Sequence, residues 1–358
     1  MKIGVFTPYL DSLTGGERYM LSIAECLASN HEVSIFWNTD NSTHLKQTIH
    51  QKLGIDLKNV KFTKNIFTKD TTFLKRYFDT QKYNQIIFLS DGSIPVVASH
   101  LILHFQFPVE WVNGNNFISK AKLKRVDKII CNSQFTKNYI DRKFSMNSVV
   151  LYPPIDYPKE ITGDKLNRIL HVGRFEETSN GSYFKKQDIL IEAFKKLLAK
   201  DSQKWKLQLV MSVRDKDTDK ISKLRELAKG YDVEFHINVT KDELSDLYKQ
   251  AKIYWHASGY NEDIDKNPEK AEHFGITTVE AMSYGLVPVV INVGGQKEIV
   301  DDNTNGFLWI SVEQLVEKTQ VLIKNEKLWN ELSINAREKA KRFRQENFCS
   351  ELQKIIDE

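Results

Sequence analysis

Lys2-Ile3-Gly4-Val5-Phe6-Thr7 is followed by Thr14-Gly15-Gly16-Glu17, by Tyr19, Met20, Ile23, Ala24 and Leu27, and by Val33-Ser34-Ile35-Phe36-Trp37. The first apolar run stops at Pro8, the paired glycines mark a turn, and the spaced apolar residues form one face of a helix before a second strand. That is a β-α-β unit. Working outward, apolar runs at 86–89, 101–105 and 128–131 alternate with helical stretches near 117–126 and 134–144. Alternating strands and helices imply an α/β fold, with a parallel sheet covered on both faces.

Val149-Val150-Leu151-Tyr152 runs into Pro153-Pro154, which continue neither a ladder nor a helix, and a polar stretch from Lys159 to Lys165 follows. Beyond this linker the alternation starts again. It runs through Ile169–Gly173, a helix at 186–200, Leu207–Met211, a helix at 217–229, Val233–Ile237 and Ile253–Ala257, and ends in helices only over 313–358. The expectation is two doubly wound domains, 1–152 and 153–344, with a last helix of about 345–358 packing back on the first. Ligands of open α/β sheets sit outside the carboxyl ends of the strands, so two such domains facing each other would define a cleft with the motifs at its lips.

The chain has 358 residues, which suits two domains, and its 41% apolar and 27% charged residues are those of an ordinary globular protein. Fifty-one basic residues against 47 acidic ones leave a net charge of +4, so the bulk charge gives no footprint for nucleic acid. Cys26, Cys131 and Cys349 are odd in number and widely spaced. They read as neither a disulfide framework nor a zinc site, and a reducing compartment is expected. The first residues read as a strand and not as a signal peptide, and no segment holds the roughly 18–20 apolar residues that span a bilayer. A cytoplasmic protein is expected, attached at most to the inner face of a membrane.

Glu272-His273-Phe274-Gly275-Ile276-Thr277-Thr278-Val279-Glu280 separates two carboxylates by seven residues. On one helix they would stand about 12 Å apart along the axis, too far to share a reacting centre. Gly275 and the threonine pair point instead to a loop carrying Glu272 and a helix that starts near Thr277 and carries Glu280. Free N–H groups at that start would suit a diphosphate. A capping box, Thr277 with Glu280, is the bland alternative for Glu280.

This segment resembles the E-x7-E signature of the retaining glycosyltransferases of family 4, which have the GT-B fold of two Rossmann-like domains facing a central cleft. Trp255-His256-Ala257-Ser258-Gly259-Tyr260 and Ala271–Ile276 are similar to the branch near the lipid-linked-oligosaccharide α-1,2-mannosyltransferases. The resemblance implies that Glu272 contacts the donor sugar and Glu280 the ribose hydroxyls, with the N–H groups of Gly275, Ile276, Thr277 and Thr278 near the diphosphate. It implies a nucleotide-sugar donor, GDP-mannose first and a UDP-hexose second, a glycan or lipid-linked acceptor, and no cofactor.

Arg174, after Ile169–Gly173, and Lys185 match the family's G-R…K pattern. Fixed cations there would stabilise a diphosphate leaving group as its charge develops. The usual Lys-Gly is Lys185-Lys186 here, so either lysine can be the phosphate ligand, and the insert Glu176–Tyr183 is long. Gly15 and Gly16 lack the third glycine of the dinucleotide fingerprint. They read as a tight turn or, by the resemblance, as the loop beside the donor phosphates and acceptor. His104 in Leu101–Pro108 reads as a core imidazole or, by the resemblance, as a cleft histidine near the sugar.

Residues 117–128 put five basic residues among apolar ones, the pattern of a solvated face or of a helix resting on anionic lipid. Asp215-Lys216-Asp217 and Asp263-Ile264-Asp265 spell a metal-binding triplet, but neither follows a clear strand end, so transfer without a metal is expected. The reading is a retaining hexosyltransferase. A sugar-nucleotide epimerase on the same fold and a non-catalytic sugar-binding subunit are its rivals, and a two-glutamate hydrolase would leave the Arg/Lys clamp without a purpose.

Overall fold

Apolar runs bounded by turn residues become strands in two separate parallel sheets of the computed structural model. The structure describes residues 1–10, 13, 15–112, 114, 116–177, 183–199 and 204–357. Thr14 and most of the insert expected at Glu176–Tyr183 lie outside the described residues.

The first unit comprises Met1–Pro154 together with Gln345–Glu358. It runs through β1 (Lys2–Phe6), α1 (Gly15–Leu27), β2 (Glu32–Phe36), α2 (Ser42–Leu53), β3 (Val60–Thr63), α3 (Phe73–Thr80), β4 (Gln85–Leu89), β5 (His100–Phe105), α4 (Phe117–Leu123), β6 (Lys128–Cys131), α5 (Gln134–Phe144) and β7 (Val149–Val150). The sheet order is β3-β2-β1-β4-β5-β6-β7, and every pairing is parallel. Val5 of β1 lies between Ile35 of β2 and Ile87 of β4, all fully buried. Each such side chain withdrawn from water contributes about 1.5–3 kcal/mol.

The second unit is Ile155–Arg344. Its elements are β8 (Leu166–Arg174), α6 (Gln187–Leu198), β9 (Lys206–Ser212), α7 (Ile221–Leu227), β10 (Val233–Ile237), α8 (Lys241–Gln250), β11 (Ala251–His256), α9 (Ile276–Ser283), β12 (Val287–Ile291), α10 (Gln296–Ile299), β13 (Phe307–Trp309), α11 (Val312–Lys324) and α12 (Glu326–Ala340). Its parallel sheet has the order β10-β9-β8-β11-β12-β13. The helix expected over 217–229 opens as a 3-10 turn at Asp215–Lys220 before α7, because Asp217 is pulled into ion pairs with Arg214 and Lys220.

After α12 the chain re-enters the first unit as α13 (Gln345–Asp357). Phe348, Leu352, Ile355 and Ile356 line its inner face and join the core beneath α1. The Phe348 ring meets Tyr19 edge-on at 5.4 Å, and Lys128 Nζ donates to the Ile355 carbonyl at 2.7 Å.

The same return corrects the reading of the cysteines. Cys26 of α1 and Cys349 of α13 form a disulfide, with Cα atoms 5.3 Å apart across 323 residues of sequence. Wide spacing along the chain excluded nothing, because a discontinuous unit brings the two helices together. The argument for a reducing compartment falls with it. Cys131 is free and buried, and burial pushes its thiol up to about 12. No helix among the described residues is long and apolar enough to cross a membrane.

Candidate active site

Burial ends early on β8: Ile169, Leu170 and His171 are enclosed, Val172 and Gly173 are half-buried, and Arg174 is exposed at the carboxyl end of the strand. The Arg174 guanidinium pairs with no group among the described residues, while its carbonyl accepts from Gln187 Nε2 at 3.1 Å. The chain returns at Lys185, whose stem lies beside Gly173; a Cβ there would approach the Lys185 Cγ to 3.2 Å. Lys185 Nζ donates to Glu272 Oε2 at 2.6 Å. Lys186 takes a left-handed φ of 55° at the start of α6 and turns to Glu262, also at 2.6 Å. Of the two lysines, Lys185 is the one beside Glu272 and Lys186 the one beside Glu262.

Glu272 sits in the loop ahead of α9, and the same oxygen meets His256 Nε2 at 3.0 Å at the end of β11. Burial by itself pushes this carboxyl up, but the Lys185 charge and the His256 hydrogen bond outweigh it and hold Glu272 well below the usual carboxylate range. An ionised carboxylate only accepts, so His256 carries its hydrogen on Nε2 and its buried Nδ1 stays without a partner among the described residues. His171 donates through Nδ1 to the Trp255 carbonyl at 3.0 Å, and burial lowers it to about 3. Two neutral imidazoles therefore back one carboxylate and one ammonium.

The loop keeps its course because backbone packs against backbone. Gly295 N–H donates to the Glu272 carbonyl at 2.8 Å, and a Cβ on Gly295 would stand 2.5 Å from the His273 carbonyl oxygen. Gly275, at φ 115°, caps α9 in a conformation that side chains rarely adopt, and no side chain caps the first N–H groups of Ile276 and Thr277. The Gln296 amide, fully buried beside Gly275, pairs with no group among the described residues. α9 is thus left with open donors at its start.

The capping box does not form. Thr277 lies inside the helix, where its hydroxyl meets Tyr254 Oη at 2.7 Å, and Glu280 Oε2 accepts from Tyr248 Oη at 3.2 Å. Thr278 is fully buried.

In the first unit, Gly15 and Gly16 open α1, and the Gly16 carbonyl accepts from Gln106 Nε2 at 3.0 Å. Of the two readings of His104, core imidazole or cleft histidine, the burial is that of the first. It is fully buried on β5, stacked on Tyr19 with centroids 4.2 Å apart, and its Nδ1 faces the Ile130 carbonyl at 3.2 Å. Burial lowers it to about 3. Flanking aromatics drew it into the core, the outcome a lone histidine among Phe and Leu ordinarily has.

His256, Tyr248 and the Gly294-Gly295 pair escaped the reading of the sequence as site residues. The glycine pair follows the buried run Val287–Ile291 as Gly15-Gly16 follows the first strand, so the same signal was present there.

The family model described as glycosyl transferases group 1 matches residues 156–339, just over half of the chain and nearly all of the second unit. The chain belongs to this family. Among relatives, the group 1 transferase is 27% identical over 305 residues to a GDP-Man:Man(3)GlcNAc(2)-PP-Dol alpha-1,2-mannosyltransferase of Dictyostelium discoideum, covering 73% of this chain and 57% of that one. The protein of the same name from Xenopus laevis is 30% identical over 250 residues, covering 65% and 46%. The chain thus spans about half the length of the curated relatives it matches. Among solved structures, HepE of Anabaena in complex with UDP superposes with a TM-score of 0.75 over 100% of both chains at 18% identity, a likeness of fold. Its two Rossmann-like parallel-sheet units are those of the GT-B fold.

Proposed function

We propose that this chain is a retaining, metal-independent hexosyltransferase that moves mannose or a glucose-type sugar from a nucleoside-diphosphate donor to a hydroxyl of a glycan or lipid-linked acceptor. The observation that carries the reading is the Lys185–Glu272 pair, with the exposed Arg174, which pairs with no group among the described residues, and the start of α9, which no side chain among them caps. Arg174, Lys185 and the N–H groups of Ile276 and Thr277 receive the diphosphate, Glu280 takes the ribose, and Glu272 accepts from the sugar. Gly15 and Gly16 belong to the acceptor side, and His104 packs.

In this reading the bond between the anomeric carbon and the phosphate oxygen breaks first. Its electrons go to the diphosphate, whose new charge Arg174 and Lys185 offset. The departing phosphate oxygen takes the proton of the acceptor hydroxyl, whose oxygen bonds the anomeric carbon on that same face, so an α-linked donor gives an α product. The reading uses no cation, and it is supported by the ion pairs of Asp217 with Arg214 and Lys220 and of Asp263 with Lys266. GDP-mannose is the first donor, in keeping with the donor named for the mannosyltransferase relatives, and a UDP-hexose is the second. A lipid-linked acceptor would put the protein at the inner face of a membrane, in contact through 117–128.

Thermal-shift titration against GDP, UDP and ADP with and without magnesium tests this. A ligand at a hundred times its dissociation constant adds about 2.7 kcal/mol. GDP is expected to stabilise without magnesium. Dependence on magnesium would remove the metal-free mechanism, and silence from all three nucleotides would remove the donor site. A second nucleotide-sugar formed from donor alone would identify an epimerase.

A further inference from the structure

α3 leaves its large apolar residues in solvent. Phe73 and Phe78 are each 62% exposed and Leu74 is 55% exposed, whereas Thr80 is buried and Arg76 is half-buried. Arg76 is held by carbonyls, donating to Ile66 at 3.1 Å, Thr71 at 3.3 Å and Thr68 at 3.4 Å, and no carboxylate among the described residues pairs with it. Its guanidinium borders a cavity of about 320 Å³ that is also lined by Phe67, Phe88, Ser93, Ser119 and Lys122. The last two belong to α4, so the helices share the cavity.

α4 repeats the pattern. Phe117 is 87% and Ile118 68% exposed, and Lys120, Lys122, Lys124 and Arg125 form no ion pair among the described residues. Two neighbouring helices thus present apolar tips with uncompensated cations beside them. A soluble partner would need an acidic, apolar groove shaped to both helices. A membrane of anionic lipid offers that complement everywhere, with an acyl layer for the tips and phosphates at the depth of the cations.

We propose that α3 and α4 form a surface that seats on an anionic membrane, with Phe73, Phe78, Phe117 and Ile118 entering the acyl boundary and a lipid phosphate held between Arg76 and Lys122. This deepens the membrane-side acceptor of the proposed function and extends the contact to a helix whose sequence had not pointed to it.

Sedimentation of the intact protein with phosphatidylcholine vesicles, with and without phosphatidylglycerol, tests it in the absence of donor. Binding is expected only to the anionic vesicles and should weaken as salt rises. Phe73→Ser/Phe78→Ser should reduce vesicle affinity by at least about tenfold, and Lys122→Gln by about fivefold. Wild-type affinity in both variants, or equal binding to neutral vesicles, would overturn the proposal. So would stabilisation by inorganic phosphate with no sedimentation, which would make the cavity a site for a soluble anion. The nucleotide-induced thermal shift of the same variants reads the second unit by itself, so failure on vesicles leaves the donor reading where it stood.

Discussion

Lys185 Nζ and Glu272 Oε2 meet at 2.6 Å although 87 residues separate them in the chain. The cation assigned to the donor phosphate is thus already engaged by the carboxylate assigned to the sugar. A donor must divide the ammonium between two anions, and the two substitutions should therefore act in opposite directions on binding. Glu272→Gln frees Lys185 and should tighten nucleoside diphosphate by about tenfold, the order of one charge-assisted hydrogen bond, while transfer is lost. Lys185→Met should weaken the same ligand. Calorimetry with the nucleotide that stabilises the protein decides it; equal weakening by both would contradict the shared ammonium.

The buried imidazoles set a direction for pH. His171 is lowered to about 3 and His273 to about 4, chiefly by burial, so the folded chain refuses protons that the unfolded chain takes up. Stability from these groups is complete above about pH 6.5, the unfolded histidine value, and is lost as pH falls from there toward the folded values. Glu272 adds a second loss, beginning below its unfolded value of about 4.3, because its folded value lies lower still. Urea midpoints should drop between pH 7 and pH 5, and His171→Gln should shrink that drop. An unchanged drop in the variant would assign the dependence elsewhere.

Gly295→Ala probes the backbone beneath Glu272. The new Cβ would lie 2.5 Å from both the His273 carbonyl oxygen and the Phe274 Cα, neither of which can turn aside. A cost of about 1–3 kcal/mol is expected, with transfer falling further than nucleotide binding because the displaced loop carries the carboxylate. Gly230→Ala meets nothing within 4 Å and strains only its own positive φ. It should cost about 1–2 kcal/mol and leave transfer intact. Comparable activities for the two variants would separate the loop from the chemistry.

The disulfide between Cys26 and Cys349 should make the first unit sensitive to thiols. Reduction, or Cys349→Ser, is expected to cost about 2–4 kcal/mol. Counting alkylated thiols by mass provides a second readout: none in the native protein and two after reduction, since Cys131 is buried with its thiol pushed up to about 12. Alkylation of Cys26 without reductant would show that the pair is open in solution.

Where apolar residues form a short run or recur at helical spacing, the fold could be read in advance. Gln134–Phe144 and Val233–Ile237 formed as the helix and the strand that their patterns announce. Elements that escaped notice lack such a pattern for physical reasons. α2 buries only Ile49 and Leu53, β3 is a four-residue edge strand, β12 contains Pro288, and α3 shows its apolar residues to solvent. In the site, Glu272 stood out because a carboxylate in a glycine-bearing loop lacks a structural task, and Arg174 and Lys185 because they match the family's G-R…K pattern. His256 did not, because its significance depends on a hydrogen bond across 16 residues that spacing does not display.

The return of α13 to the first unit also orders events during synthesis. Ile155–Arg344 is one continuous stretch and can close as soon as it has left the ribosome. The first unit begins earlier yet waits for Gln345–Asp357, and until then the flank of α1 around Tyr19 and Cys26 lacks its cover. The half of the chain made first is finished last, which makes it the part most exposed to chaperones and to misfolding while translation is under way.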